Sequence, residues 1–389
     1  MHPIDSVGEA DGALAPDRRQ KIAYVATRDV GYARNAIVSR ALRSAFAVDT
    51  ITSAASSYWV RIPLVAFRLL GAWLTGRLRS CDAVFVGFMA QPILPLVRLV
   101  WRGPLISDAY LSVYDTIVDD RRLARPGSLP ARLARKLDES MLRHSDLVFT
   151  DTQAHGDYFR ALLHPKGRLM RLWVSAEADL LGPWHPKHYR DGETFEVLFW
   201  GGFIPLQGVD VIVGAAGLLM GERVRFTLVG SGQTYAACVS LCAEQGSTNV
   251  EFLGWRTLSE IGDLARRSHL ALGIFGTSAK AGRVIPNKVF QALAMGMPVI
   301  TRDSPAVREL LTDGDDVLTV RMGDPEALAE RIRFARDHYA ATVTTAKRGQ
   351  ETFRATASSE RVTRLLVAGV RECLDGNAAD SERITVGRR

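Results

Sequence analysis

Apolar residues along this chain fall into short, almost uninterrupted runs, each followed by an amphipathic stretch of helical period. Residues 21–27 (KIAYVAT), 81–88 (CDAVFVGF), 103–110 (GPLISDAY) and 146–152 (DLVFTDT) are runs of this kind in the first half. Residues 195–202 (FEVLFWGG), 224–232 (VRFTLVGSG), 270–276 (LALGIFG) and 298–303 (PVITRD) repeat the pattern in the second. A strand covered on one face alternates, whereas a strand covered on both reads as continuously apolar, so these runs predict parallel sheets between helical layers. Stretches such as 129–145 (LPARLARKLDESMLRHS) and 287–295 (NKVFQALAM) supply the helices. The alternation breaks at 182–193 (GPWHPKHYRDGE), a linker candidate rich in Pro, His, Asp and Gly, and then restarts. The fold class is therefore α/β, with two doubly wound halves. The expected segments are a loosely ordered tail at 1–19, a first domain at 20–189, a second at 190–344, a closing helical stretch at 345–370 and a flexible tail at 371–389.

Composition narrows this picture only slightly. The 389 residues suit two or three domains, 47% hydrophobic content fills real cores, and a formal charge of +7 is modest for this length. Cys238 and Cys242 lie one helical turn apart; they are either a thiolate pair or ordinary helix residues in a reducing compartment. The opening residues lack the basic-then-apolar order of a secretion signal, which makes cytoplasm the expected location. Residues 59–79 (WVRIPLVAFRLLGAWLTGRLR) carry four arginines and no acid. Arg61, Arg68, Arg77 and Arg79 interrupt any span of about 20 apolar residues. Two readings stay open: an interfacial helix on anionic lipid, or a core-facing helix with a basic outer rim.

The candidate chemistry lies at the ends of the apolar runs, where doubly wound sheets collect ligands. Gly201–Gly208 (GGFIPLQG) follows a strand and precedes a helix, and glycines there admit a ligand close to the backbone. It matches neither the dinucleotide fingerprint nor the P-loop. Gly230 and Gly232 repeat the arrangement one strand later, as either a close approach or a turn of positive φ. In 280–300 (KAGRVIPNKVFQALAMGMPVI), Pro286 suits a helix start. Lys280, Arg283 and Lys288 cluster around it, so cations and free helix amides together would hold a pyrophosphate and stabilise a leaving phosphate. In the first half, Gly31, Arg34 and Asn35 end the first run. Asp108, Ser112 and Asp115 follow a later one, with Asp108 either holding an acceptor hydroxyl or capping a helix. Asp151 and His155 are further candidates, with a helix cap and a surface residue as their plain alternatives. None of the eight histidines forms a tight ligand set, so no metal site is expected.

The two α/β halves together with GGFIPLQG and VIPNKVFQALAMGMPVI resemble the retaining family 4 glycosyltransferases of GT-B architecture, which pair two Rossmann-like domains across a cleft. The resemblance runs from about residue 21 to 370 and is strongest at 195–320. It implies a second half that binds a nucleotide-sugar, a first half that binds the acceptor, a terminal helix that crosses back, and no metal or other cofactor. Donor contacts are implied for Gly201, Gly202, Gln207, Gly230, Gly232, Trp255, Pro286, Asn287 and Gln291. Catalytic roles are implied for Asp108, Lys280, Arg283 and Lys288, with the leaving phosphate assisting deprotonation of the acceptor. Three positions depart from the family. Gln207 replaces a frequent lysine, Arg283 and Gln291 replace two glutamates, and no histidine stands near Asp108.

The expected function is sugar transfer from a nucleotide-diphosphate sugar to a carbohydrate or lipid-linked acceptor, in cell-surface polysaccharide or glycolipid synthesis. The chain would work in the cytoplasm, peripheral to an anionic membrane through 59–79, and without nucleic acid as partner. An inactive binding or scaffold protein, and a nucleotide-sugar epimerase, are the alternatives.

Overall fold

The computed structural model describes residues 19–27, 31–55, 57–163, 165–187, 189–190 and 192–386, with side chains to residue 376. The expected tail at 1–18, residues 28–30 of the first turn, and His188 and Asp191 of the linker candidate lie outside the described residues. Twelve strands are described. In the first half they are β1 (Lys21–Val25), β2 (Ala47–Ile51), β3 (Ala83–Val86), β4 (Leu105–Asp108), β5 (Leu147–Thr150) and β6 (Arg168–Arg171). The second half has β7 (Phe195–Trp200), β8 (Val224–Val229), β9 (Val250–Leu253), β10 (Leu270–Leu272), β11 (Val299–Arg302) and β12 (Leu318–Val320). They form two parallel six-stranded sheets, ordered β2-β1-β3-β4-β5-β6 and β12-β11-β10-β7-β8-β9. Val197 of β7 sits opposite Phe226 on one side and Leu270 on the other. Strands β3, β5 and β10 are buried along their whole length, as their apolar runs require.

This order sets the position of the site. In each sheet the chain leaves a central strand in one direction and later returns to its other side. The order thus reverses between β1 and β3 and between β7 and β10, and a crevice opens beyond the strand tips there. The turn after β7 and the loop and helix after β10 border the second crevice. Both contain candidate residues.

The chain crosses between domains earlier than residue 189. The short helix Ala178–Leu181 already packs on the second-domain helix Leu258–Arg267. Trp184, inside the presumed linker, is buried; its ring N–H donates to Ser268 O and its backbone N–H to Met295 O. Composition marks this stretch as a linker, but one buried indole pins it down. The closing segment also differs from expectation. A helix Tyr339–Thr356 breaks at Ala357 and is followed by a second, Ser359–Val386, which runs through much of the stretch expected to be a flexible tail. This last helix packs on Ala33–Ala45 and on β5 of the first domain. Gly369 makes that approach possible, since a Cβ there would come within 2.8 Å of Met170 Sδ and 3.1 Å of Phe149 Cζ.

Candidate active site

A cavity of about 710 Å³ lies between the domains, bordered by the turn after β7, the helix Asn287–Met295 and the segment after β4. At Gly201 (φ +148°) a Cβ would strike Lys288 Nζ at 2.9 Å, so only glycine serves. Gly202 faces open space: nothing comes closer to its Cβ position than Ile204 Cγ2 at 3.9 Å. Gly230 and Gly232 play a different part. Their Cβ positions fall 2.0 Å from Gly201 O and 2.5 Å from Phe203 O, and neither residue lines the cavity. They let the two glycine turns pack on each other, which leaves Gly201 and Gly202 as the pair at the ligand space.

Pro286 is extended (φ −71°, ψ 151°) and caps the helix, which starts at Asn287 rather than at the proline. Lys288 sits in the first turn, 4% exposed. Its ammonium donates to Gln207 Oε1 and lies 3.7 Å from the centre of the Phe199 ring, with Gly273 O at 3.4 Å. These neighbours are all neutral. Burial alone pulls its ionisation well below the ordinary lysine range. Lys280 donates to Thr116 Oγ1 of the first domain at 2.6 Å and is likewise lowered by burial, with Asp120 and Asp115 acting against the shift. Gln291 accepts from Trp200 Nε1 at 2.7 Å. Asn287 accepts from Tyr110 OH across the cleft at 2.7 Å. Trp255, 66% exposed, presents its indole at the cavity wall.

Two of the four expected catalytic residues are elsewhere. Asp108 does not line the cavity; it is 2% exposed, and Arg34 occupies both of its oxygens at 2.8 and 3.0 Å. Arg34 reaches on to the carbonyls of Leu172 and Trp173, so the pair ties β4 to the exit of β6. A strand-tip acid reads as reactive in sequence, and only the fold brings an arginine against it. Arg283 pairs with Asp115 of the first domain at 2.7 Å and lies over the Tyr158 ring at 4.2 Å, outside the cavity lining. His155 is buried, not a surface residue, and its Nδ1 bonds Asp151 at 2.7 Å. Ser112 donates to Asp138. Asn35 accepts from Tyr24 OH and from the Phe88 amide.

Sequence reasoning singled out Asp115 but missed Thr116 and Asp120, which the π-helix Asp115–Asp120 brings to the cavity, along with Tyr110 and Trp200. The acids of DTIVDD are legible, but their approach to Lys280 spans two domains. Cys238 and Cys242 are buried helix residues with no bond between them, and burial raises both thiols. Among the described residues no group of three or more His, Cys, Asp or Glu side chains could hold a metal ion.

Comparison with known proteins agrees with this architecture. Residues 194–337 match the family described as glycosyl transferases group 1. An uncharacterized glycosyltransferase of Methanocaldococcus jannaschii is 26% identical over 144 residues, 37% of this chain and 39% of the relative. The lipopolysaccharide core biosynthesis glycosyltransferase LpsE of Rhizobium meliloti is 27% identical over 168 residues, 43% of this chain and 47% of the relative. The matched part thus spans less than half of either relative. Among solved structures, sucrose-phosphate synthase of Thermosynechococcus elongatus superposes with a TM-score of 0.74 at 14% identity, over 92% of this chain and all of that one. Anabaena HepE in complex with UDP-glucose gives 0.66 at 17% identity, over 90% and 99%.

Proposed function

From the premise that the chain has the GT-B fold and is related to the group 1 glycosyl transferases, we propose that it transfers a sugar from a nucleoside-diphosphate sugar to an acceptor hydroxyl. Transfer proceeds with retention of configuration and without a metal ion. One observation carries the reading: Lys288 is a buried amine with only neutral neighbours, set at a helix start and against a glycine turn. Burying a charge is costly unless a partner compensates. A diphosphate is the partner that the free amides of Asn287 and Lys288, the open face of Gly202 and the lysine would meet together. Gln207 cannot supply the charge of the lysine it replaces, but its amide oxygen holds Lys288, so the cation comes from the facing helix. Trp255 offers a face for the base and Gln291 a polar contact for the ribose, while Lys280 meets charge developing on the leaving phosphate.

The acceptor is lipid-linked, in cell-surface glycan synthesis. LpsE's role in lipopolysaccharide core biosynthesis supports this context. So does the helix Tyr58–Leu74, which has two apolar faces: Val65, Leu69 and Ala72 are buried, while Val60, Leu64, Phe67 and Leu74 are exposed on the opposite side. Arg79 at the helix exit and Leu99 on the adjoining helix Leu94–Val100 are exposed too. An apolar stripe with arginines beside it suits the plane of an anionic membrane. No described helix is long and apolar enough to cross one.

A thermal-shift screen against UDP, GDP, dTDP, ADP and UDP-glucose tests the donor site. The expected result is a saturable rise with one nucleotide family; no rise with any of them in folded protein overturns the reading. The loss of both glutamates favours an inactive binding protein as the second reading. Nucleotide binding with no nucleotide release from any sugar donor would select it.

A further inference from the structure

Among the described residues that line the interdomain cavity, Asp120 is the one carboxylate, and none is histidine. It closes the π-helix Asp115–Asp120, a backbone form that recurs at functional sites. The residue is 1% exposed. Its Oδ1 accepts from Ser278 Oγ of the second domain at 3.3 Å, whereas its Oδ2 is buried without a hydrogen-bond partner. Lys280, which also lines the cavity, donates to Thr116 Oγ1. A buried carboxylate oxygen left unsatisfied at a cavity wall is expensive unless a ligand group satisfies it. The group required there is a hydrogen-bond donor.

We propose that this donor is the acceptor hydroxyl, and that Asp120 both orients it and takes its proton during transfer. The inference rests on the glycosyltransferase reading. In the step, the hydroxyl oxygen bonds the anomeric carbon of the donor sugar. The bond from that carbon to the diphosphate oxygen breaks, and its electron pair leaves with the nucleoside diphosphate. Retention requires attack on the face from which the diphosphate departs; the hydroxyl proton ends on Asp120 Oδ2, rather than on the leaving phosphate as the family resemblance implies, and passes to solvent after release. Lys280 stands beside the carboxylate to meet the charge arriving on the phosphate. Asp108 is held by Arg34 and cannot take this part.

Burial raises the carboxyl of Asp120 above the usual aspartate range. Lys280, the Ser278 hydroxyl and Arg121 pull it back, and Asp115 pushes it further up. The carboxylate form that accepts the proton is therefore lost at a higher pH than an ordinary aspartate loses it.

Nucleoside diphosphate release is measured from a panel of UDP-, GDP- and dTDP-sugars, with n-octyl glucoside as hydroxyl acceptor. With the donor that turns over, Asp120→Asn is expected to lower kcat by about 10²–10⁴-fold while nucleoside diphosphate affinity stays within about 3-fold. The acid limb of the wild-type kcat/KM profile disappears in D120N and is kept in D120E. A D120N kcat within about 10-fold of wild type, or an acid limb that persists unchanged in D120N, overturns the proposal. No release from any donor by the wild-type protein, despite nucleotide binding, removes the transferase reading and this inference with it.

Discussion

At the scale of one residue, the proposed diphosphate site rests on Lys288. The only cause of its lowered ionisation is burial, and its contacts are an amide, a carbonyl and an aromatic face. A diphosphate arriving at the glycine turn restores the charge that burial disfavours. Between the low value in the free protein and the higher value in the complex, binding takes up a proton. Affinity for UDP therefore falls as pH rises through the free-protein value. Calorimetry in two buffers of different ionisation enthalpy, across a pH series, reads this uptake directly. Lys288→Ala is expected to abolish it and weaken UDP by about 10–100-fold, the worth of a charge-assisted hydrogen bond. Unchanged affinity in K288A would contradict the assignment. The same scale exposes the limit of residue types as signals: Asp108 and Lys288 both look reactive in sequence, yet one meets an arginine and the other meets no anion.

At the scale of elements, the helix Tyr58–Leu74 keeps both readings its sequence leaves open, because both of its faces are apolar. Periodicity alone cannot divide a helix that is apolar nearly all round; packing against β2 and the adjoining helix Leu94–Val100 assigns one face, and the rest is left in water. Phe67 is 76% exposed at the middle of the outer stripe. Its transfer into an interface contributes about 2 kcal/mol. Phe67→Glu is expected to cut binding to phosphatidylglycerol-containing vesicles by about 10-fold or more, while the unfolding midpoint stays near that of wild type. Co-sedimentation equal to wild type would count against the membrane face. The π-helix Asp115–Asp120 is a second case. Its acids were visible in sequence, but a π turn has no hydrophobic period to announce it, and only the fold aims Thr116 and Asp120 at the cleft.

Across the whole molecule, the two domains are joined through a small set of directional contacts. Asp115 meets Arg283, Thr116 meets Lys280, Asp120 meets Ser278, and Tyr110 meets Asn287. Farther from the cavity, Glu309 of the second domain accepts from the amides of Gln153 and Ala154, capping a first-domain helix from across the boundary. The Arg283 position, a glutamate in the enzymes the chain resembles, has become half of an interdomain ion pair. Asp115 is fully buried, so removing the arginine strands a charge. Arg283→Ala is expected to cost about 3 kcal/mol in chemical unfolding, and Asp115→Asn in the same chain to recover most of it. A double variant no more stable than the single one would show that the pair does not hold the domains.

Sequence by itself determined the parallel α/β layers, the glycine turn at Gly201–Gly202 and the helix start near Pro286. Each depends on neighbours in the chain: continuous apolar runs need cover on both faces, glycine permits a positive φ, and proline suits a helix entrance. Tertiary structure alone decided which charges meet. Arg34 reaches Asp108 across 74 positions, Arg283 reaches Asp115 across 168, and Ser278 reaches Asp120 across 158. Such partners share no period or spacing, so whether a carboxylate is tied up or left open to a ligand is fixed only when the two sheets close over one cavity.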